Sequence, residues 1–287
     1  MASRTAHNNP NSGGSLDLTY HYEMLADTAR MDVFARAIER TCAGKRVLDC
    51  GTGTGILALL AARAGADWVY GVDLDPVVLE FARAAQQECN FQQLTFLEKD
   101  ARKLTLADLD DRPVDVVICE NLSTWQVTEP EILVLNHVNV RLVADSVVHL
   151  PAGVENLLQP VQSQYLFYDC VELRTHYFEF TGTPAPLPLG APVLYNAVRF
   201  DAVNMPHWHH KVRVTINRPG TLNGFRLTSP LVIHDDVTFP GSDTLMPPVV
   251  LPLAHDLPVR AGDTVEVEVH YHHLSRWEDV RCAARLV

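Results

Sequence analysis

The sequence predicts an α/β fold in two parts, a doubly wound parallel-sheet domain followed by an antiparallel β-barrel-like domain. Three features carry this reading. Hydrophobic periods alternate between strand and helix up to about residue 150; a glycine-rich turn links the first strand to the next helix; and after Pro151-Ala152-Gly153 the pattern becomes short alternating runs parted by Pro and Gly.

Taken in order, residues 1–18 include Asn8-Asn9-Pro10-Asn11-Ser12-Gly13-Gly14-Ser15 and are too polar to order themselves, so a flexible tail is expected. Between Tyr20 and Cys42, Met24, Leu25, Met31, Phe34, Ala35 and Ile38 recur at helical spacing and predict one or two amphipathic helices. Strands are expected at 45–50, 68–72, 94–97 and 114–119, with helices at 56–64 and 77–89. This alternation makes parallel βαβ units, so residues 19–150 read as a Rossmann-like domain. Residues 151–287, with alternating runs at 211–216 and 264–271, read as the β-barrel-like domain.

The 287 residues are 47% hydrophobic and 20% charged, an ordinary globular composition. A net charge of −12 excludes a nucleic-acid backbone as substrate, because binding phosphates needs a basic face, and it suits a cationic or neutral partner. No apolar run reaches the roughly 18 to 20 residues that cross a bilayer, and the first residues lack the order of a secretory signal. A cytoplasmic protein with no membrane partner is expected. The six cysteines form no CxxC pair and read as reduced thiols. Only four lysines accompany many arginines and alanines, a hint of a GC-rich bacterial genome.

The stretch Val47-Leu48-Asp49-Cys50-Gly51-Thr52-Gly53-Thr54-Gly55 sets glycines where a strand turns into a helix, which lets a ligand approach the backbone. Asp73 closes the second strand 18 residues after Gly55, where a carboxylate can accept from both hydroxyls of a ribose. Alone, such a loop also serves nicotinamide and flavin enzymes, or is a plain tight turn. Asp49 tips the balance. A diphosphate gains little from it, whereas a sulfonium carrying an amino group gains from a nearby carboxylate.

Gly-x-Gly-x-Gly behind an acidic strand end resembles the first motif of class I methyltransferases. The fourth strand delivers Glu120 at its carboxyl end, and Glu129 follows nine residues later. With these two, the chain resembles the protein arginine methyltransferase family over about residues 20–150. HYEMLADTAR (21–30) is similar to that family's helix before the first strand, VLDCGTGTGIL (47–57) to its glycine motif, and Glu120 to Glu129 to its double-glutamate hairpin.

The resemblance implies S-adenosyl-L-methionine as cofactor, with His21, Met24, Arg30, Asp49, Gly51, Gly53, Gly55, Asp73, Asp100 and Ala101 in its pocket. Arg30 would pair with the cofactor's carboxylate, and Asp100 and the Ala101 amide would face the adenine. Glu120 and Glu129 would be catalytic, clamping a guanidinium that stays protonated at any working pH. Such a clamp offsets the repulsion between guanidinium and sulfonium.

Departures from the family pattern point to a small acceptor. Pro206-His207-Trp208 looks like the family's Thr-His-Trp loop, but counting back from the turn at 259–263 places that loop on Thr244-Leu245-Met246, which keeps only the threonine. Pro130-Glu131 follows the second glutamate, and Glu131 is expected to add negative charge near the substrate. The dimerisation-arm stretch, 165–193, is short and carries Pro184, Pro186, Pro188 and Pro192, so a homodimer is compatible with the sequence but a family-style ring is not required. The expected reaction is methyl transfer to a guanidino nitrogen of L-arginine or another small guanidine. Protein arginine, a silent cofactor-binding module and a nicotinamide oxidoreductase are the alternatives. Histidines 207, 209, 210, 270, 272 and 273 read as polar strand faces, with no metal expected, and Cys119 as a buried structural thiol.

Overall fold

A computed structural model of the chain describes residues 18–235 and 237–287; the expected tail at 1–18 lies almost wholly outside them. The chain opens with α1 (Leu18–Ala26) and α2 (Thr28–Thr41). Asp27 sits between them and caps α2, its Oδ1 accepting from the Arg30 amide at 3.1 Å. Then come β1 (Arg46–Cys50), α3 (Ile56–Arg63), β2 (Trp68–Asp73), α4 (Pro76–Cys89), β3 (Leu94–Glu98), β4 (Val114–Cys119), α5 (Glu131–Arg141) and β5 (Val143–Leu150).

The five strands pair in parallel in the order β3-β2-β1-β4-β5. The order reverses between β1 and β4, and a crevice at the carboxyl ends of these two strands is where open α/β sheets bind ligands. Their near-continuous apolar runs follow from burial on both faces: every residue of β1 is buried, as is β4 apart from Asp115. Helix α4 shows how local sequence sets the frame. Asp75 caps it by accepting from the Val77 amide at 2.9 Å, Pro76 fills the first turn, and left-handed Asn90 ends it.

From Gly153 on, the regular structure is antiparallel. In chain order the strands are β6 (Gly153–Gln162), β7 (Leu166–Phe167), β8 (Val171–Glu172), β9 (Tyr177–Phe178), β10 (Leu187–Pro188), β11 (Val193–Arg199), β12 (His207–Thr215), β13 (Gly220–Thr228), β14 (Leu231–His234), β15 (Val237–Phe239), β16 (Val249–Val259), β17 (Thr264–His272) and β18 (Arg281–Leu286). An eight-stranded sheet is built around β6, and β12-β17-β18 form a second, three-stranded sheet. The proline-bearing arm is a β7–β8 hairpin followed by extended chain.

Two hydrophobic cores result, and they interlock. The first fills both faces of the parallel sheet and also takes in Leu231, Ile233, Phe239, Leu245 and Met246 from beyond residue 150. The second lies inside the antiparallel sheets and takes in Trp125 and Val127, from the loop between β4 and α5. Each half thus lends apolar side chains to the other. No described helix is long and apolar enough to cross a membrane.

Candidate active site

At the end of β1 the chain turns on Gly51 and Gly53, both with left-handed backbones. A Cβ on Gly51 would lie 1.9 Å from Asn121 Oδ1, and one on Gly53 would lie 3.1 Å from the His21 ring, so a side chain at either position would be strained by its backbone and would displace a neighbour. Asp73 Oδ2 accepts from the Gly53 amide at 2.8 Å and its Oδ1 from the Asp75 amide at 3.0 Å. The carboxylate is thereby fixed at the rim of the turn with lone pairs to spare.

Asp49, below the glycines, is buried and accepts from Thr52 Oγ1 at 2.6 Å. Burial, more than the hydroxyl can offset, pushes its pKa up to about 7, and the charges of Glu120 and Asp73 add to the rise. His21 is buried against the glycine turn, and burial lowers its pKa. Met24 is half-buried on α1.

Arg30, on the first turn of α2, is buried and forms an ion pair with Glu120. Only one end of the guanidinium is engaged there: its Nη1 is buried and without a hydrogen-bond partner. Glu120 follows β4 directly. Burial raises its pKa, and Arg30 works against the rise. Glu129 lies close enough to feel that charge; burial first and Glu120 second push it up to about 7.

Between the glutamates, Trp125 and Gln126 are both left-handed and fully buried. Non-glycine residues hold such a backbone only when their surroundings dictate it. Here the antiparallel half does so. The Trp125 amide donates to Ser229 Oγ at 2.8 Å, and the Gln126 side chain pairs with Asn156, which also binds Asn196 and Ser229. The Gln126 carbonyl lies 2.9 Å from His273 Nδ1, while Trp208 Nε1 donates to His273 Nε2 at 2.8 Å. That pair of bonds requires the neutral Nδ1–H tautomer, in line with burial lowering the pKa of His273. On the glutamate side, Ser123 Oγ accepts from the amides of Thr128 and Glu129 at 3.0 and 3.1 Å.

Several sequence expectations change here. Glu131 does not face a substrate: it is fully buried at the start of α5, Oε1 accepts from the Ser123 amide at 3.4 Å, and burial, then Glu129, drive its pKa far up. It braces the loop, and its burial favours the protonated form. Asp100 is at the end of β3 as expected and Ala101 is buried beside it, but the Asp100 carboxylate is held by Arg102 through bonds of 2.9 Å. Trp208, set aside in sequence as a false motif, supports the loop through His273. Thr244 falls at the site as counted: its Oγ1 and Ser242 Oγ donate to Asp27 Oδ2 at 2.7 and 2.5 Å.

Sequence reasoning passed over Tyr20, whose hydroxyl donates to the Thr244 carbonyl at 3.2 Å and whose pKa is raised by burial and then by Glu120. Its position next to His21, inside the resembling helix, was the available signal. Cys119 is buried opposite Cys50 on the paired strand, and that neighbour, then burial, raises the Cys50 thiol well above its usual range.

One edge of this crevice therefore offers a glycine turn, a fixed carboxylate and an unspent guanidinium nitrogen, and the other offers two half-buried glutamates. Residues 47–144 match the family model described as a methyltransferase domain. Over 238 residues, 82% of this chain and 85% of the other, the sequence is 27% identical to an uncharacterized protein of Methanocaldococcus jannaschii. It is 33% identical over 137 residues to an arginine N(omega)-methyltransferase of Streptomyces achromogenes subsp. streptozoticus, a match covering 47% of this chain and 38% of that protein. Among solved structures, the Trypanosoma brucei PRMT1 enzyme-prozyme heterotetrameric complex with AdoHcy superposes with a TM-score of 0.74 at 16% identity, covering 93% of this chain and 96% of that one.

Proposed function

We propose that this chain, whose residues 47–144 match a methyltransferase domain and whose fold is that of a protein arginine methyltransferase, transfers a methyl group from S-adenosyl-L-methionine to a guanidino nitrogen, with free L-arginine or another small guanidine as acceptor. The observation that carries this reading is the half-buried pair formed by Glu120 at the end of β4 and Glu129 in the loop before α5, beside the glycine turn and with Arg30 already on Glu120. That ion pair is itself a guanidinium on a carboxylate in the crevice.

The residues fit the cofactor. Arg30 Nη1, buried and unpartnered, is suited to the cofactor's carboxylate, and Asp73 has free acceptor capacity for ribose hydroxyls. Asp49, poised at about 7, stays ionised beside a cationic ligand, which lowers the cost of its burial. When bound, the cofactor supplies an electrophilic methyl group on a sulfonium. Glu120 and Glu129 then accept N–H bonds from the acceptor, turn one nitrogen toward the cofactor side and draw positive charge to the others. In favourable cases such positioning alone removes as much as ~7 to 11 kcal/mol of barrier. Glu129, with a carboxyl balanced near neutrality, can hold the proton that the methylated nitrogen releases.

A small acceptor is supported by the segment 242–247, which ties itself to the N-terminal helices through Asp27 and Tyr20 beside the glutamates. A homodimer is part of this reading, as is a cytoplasmic setting. The test is incubation with radiolabelled cofactor and either L-arginine or arginine-rich peptides. Label in arginine is expected; label confined to peptides would transfer the assignment to protein arginine, and label in neither would overturn it.

A further inference from the structure

A second cluster of chemistry lies away from the glutamates, on the open face of the three-stranded sheet. Strands β12 and β17 pair antiparallel in a register that sets His207 opposite His272 and His209 opposite His270. Opposite residues share a face, as do residues two apart along a strand, so the four imidazoles form a two-by-two block. All four are exposed. Ring centres lie 5.7 Å apart for His207 and His272, 5.3 Å for His209 and His270, and 5.4 Å for His270 and His272.

Two imidazoles that bind one ion through nitrogens about 2.1 Å away, at a tetrahedral angle, have ring centres roughly 5 Å apart. The spacing of the block is thus close to that of a shared metal. Among the described residues no group of three or more donor side chains is already gathered around one point, so binding requires the rings to rotate. Exposed side chains change rotamer readily, and the paired strands already fix their Cα positions.

We propose that this block is a binding site for a late first-row divalent ion such as Ni2+ or Zn2+, with His270 and His272 as principal ligands and His207 and His209 reaching across from β12. Imidazole selects such ions over the hard, oxygen-seeking Mg2+ and Ca2+. Farther along the same face Glu266 is answered by Arg285 at 2.6 Å; at the histidine end Glu268 is shared, its Oε2 3.2 Å from Lys211 Nζ and its Oε1 2.5 Å from His209 Nε2, and through the second contact it is an outer carboxylate of the kind that orients a ligating ring. Arg281, opposite His270 on β18, directs its Nη1 to the Glu278 carbonyl at 2.6 Å.

The experiment is calorimetric titration of the full chain, with thiols reduced, using NiCl2 and separately ZnCl2. The wild type is compared with His270→Asn/His272→Asn, with His207→Asn, and with Cys89→Ser/Cys170→Ser, which removes the two exposed thiols. One saturable site is expected in the wild type and the thiol variant, weakened at least tenfold in the double histidine variant and measurably in His207→Asn. A melting temperature that Ni2+ raises in the wild type but not in the double histidine variant would agree. Absence of saturable binding in the wild type, equal affinity in the double histidine variant, or loss of binding in the thiol variant would each overturn the proposal.

Discussion

Glu129 combines burial with a like charge close by, and its pKa of about 7 gives it a measurable signature. A carboxyl raised above its ordinary value is protonated below the raised value, so the charge that grips a guanidinium is lost as pH falls through 7. The kcat/KM for the acceptor should rise with pH up to about 7 and level off above it, with a slope approaching tenfold per unit on the acid side. Glu129→Gln should flatten that limb. Glu120→Gln and Glu129→Gln should each cut single-turnover methylation by roughly a hundredfold or more with cofactor affinity little changed. Their effects should not add, because both act on one planar cation. Glu131→Gln, an isosteric change at a buried acid whose pKa burial raises, should leave the rate within a few-fold; a loss as large as that of Glu129→Gln would place Glu131 in the clamp. Asp73→Ala should weaken binding of S-adenosylhomocysteine by ~1.5 to 3 kcal/mol in calorimetry. Asp73 and Glu120 were legible in the sequence because each sits at a strand end that the local pattern marks, and Glu129 because its spacing from Glu120 resembles a double-glutamate hairpin. The state of Glu131 was not, since an acid opening a helix reads as solvated until the surrounding fold is known.

The loop that joins β4 to α5 marks where such reading ends. Strand β4 was expected at 114–119 and is found there, and the glycine turn and helices α3 and α4 match to within a residue or so. Nothing local announces that Trp125 and Gln126 are left-handed. Their conformation is set by Asn156, Ser229 and His273, which lie 30, 104 and 147 residues from their partners in the loop. For the same reason, counting along the sequence found Thr244 but not its bond to Asp27. The loop's dependence on His273 can be tested. His273→Leu removes the donor to the Gln126 carbonyl and should lower kcat about tenfold or more while leaving affinity for S-adenosylhomocysteine unchanged. Asparagine can return a donor near the Nδ1 position, so His273→Asn should recover most of that loss. A fall in cofactor affinity parallel to kcat would show that His273 supports the whole crevice instead of the loop.

Among the described residues, exposed apolar side chains stand out on two parts of the chain. The β7–β8 hairpin presents Leu166, Phe167 and a Tyr168 that is 95% exposed; α1, α4 and the turn before α4 present Tyr22, Leu74, Val77 and Phe81. A patch of this kind marks an association surface. Tyr168→Asp should convert a homodimer into monomer in sedimentation velocity, and an unchanged dimer would locate the interface elsewhere. The proline-bearing stretch after this hairpin obscured it in sequence, because prolines argue against a helical arm without excluding a β one. A further consequence follows from Arg30, which stands with one nitrogen on Glu120 and another unclaimed. A carboxylate arriving with the cofactor competes for that guanidinium, and any loosening of its hold leaves Glu120 with spare negative charge for the acceptor. Occupancy of one half of the crevice thus prepares the other, and linkage makes the effect reciprocal. Steady-state kinetics should show a compulsory order with cofactor first, and L-arginine should bind measurably tighter in the presence of S-adenosylhomocysteine than in its absence. In Arg30→Lys, whose compact ammonium cannot span both partners, the two ligands should bind independently.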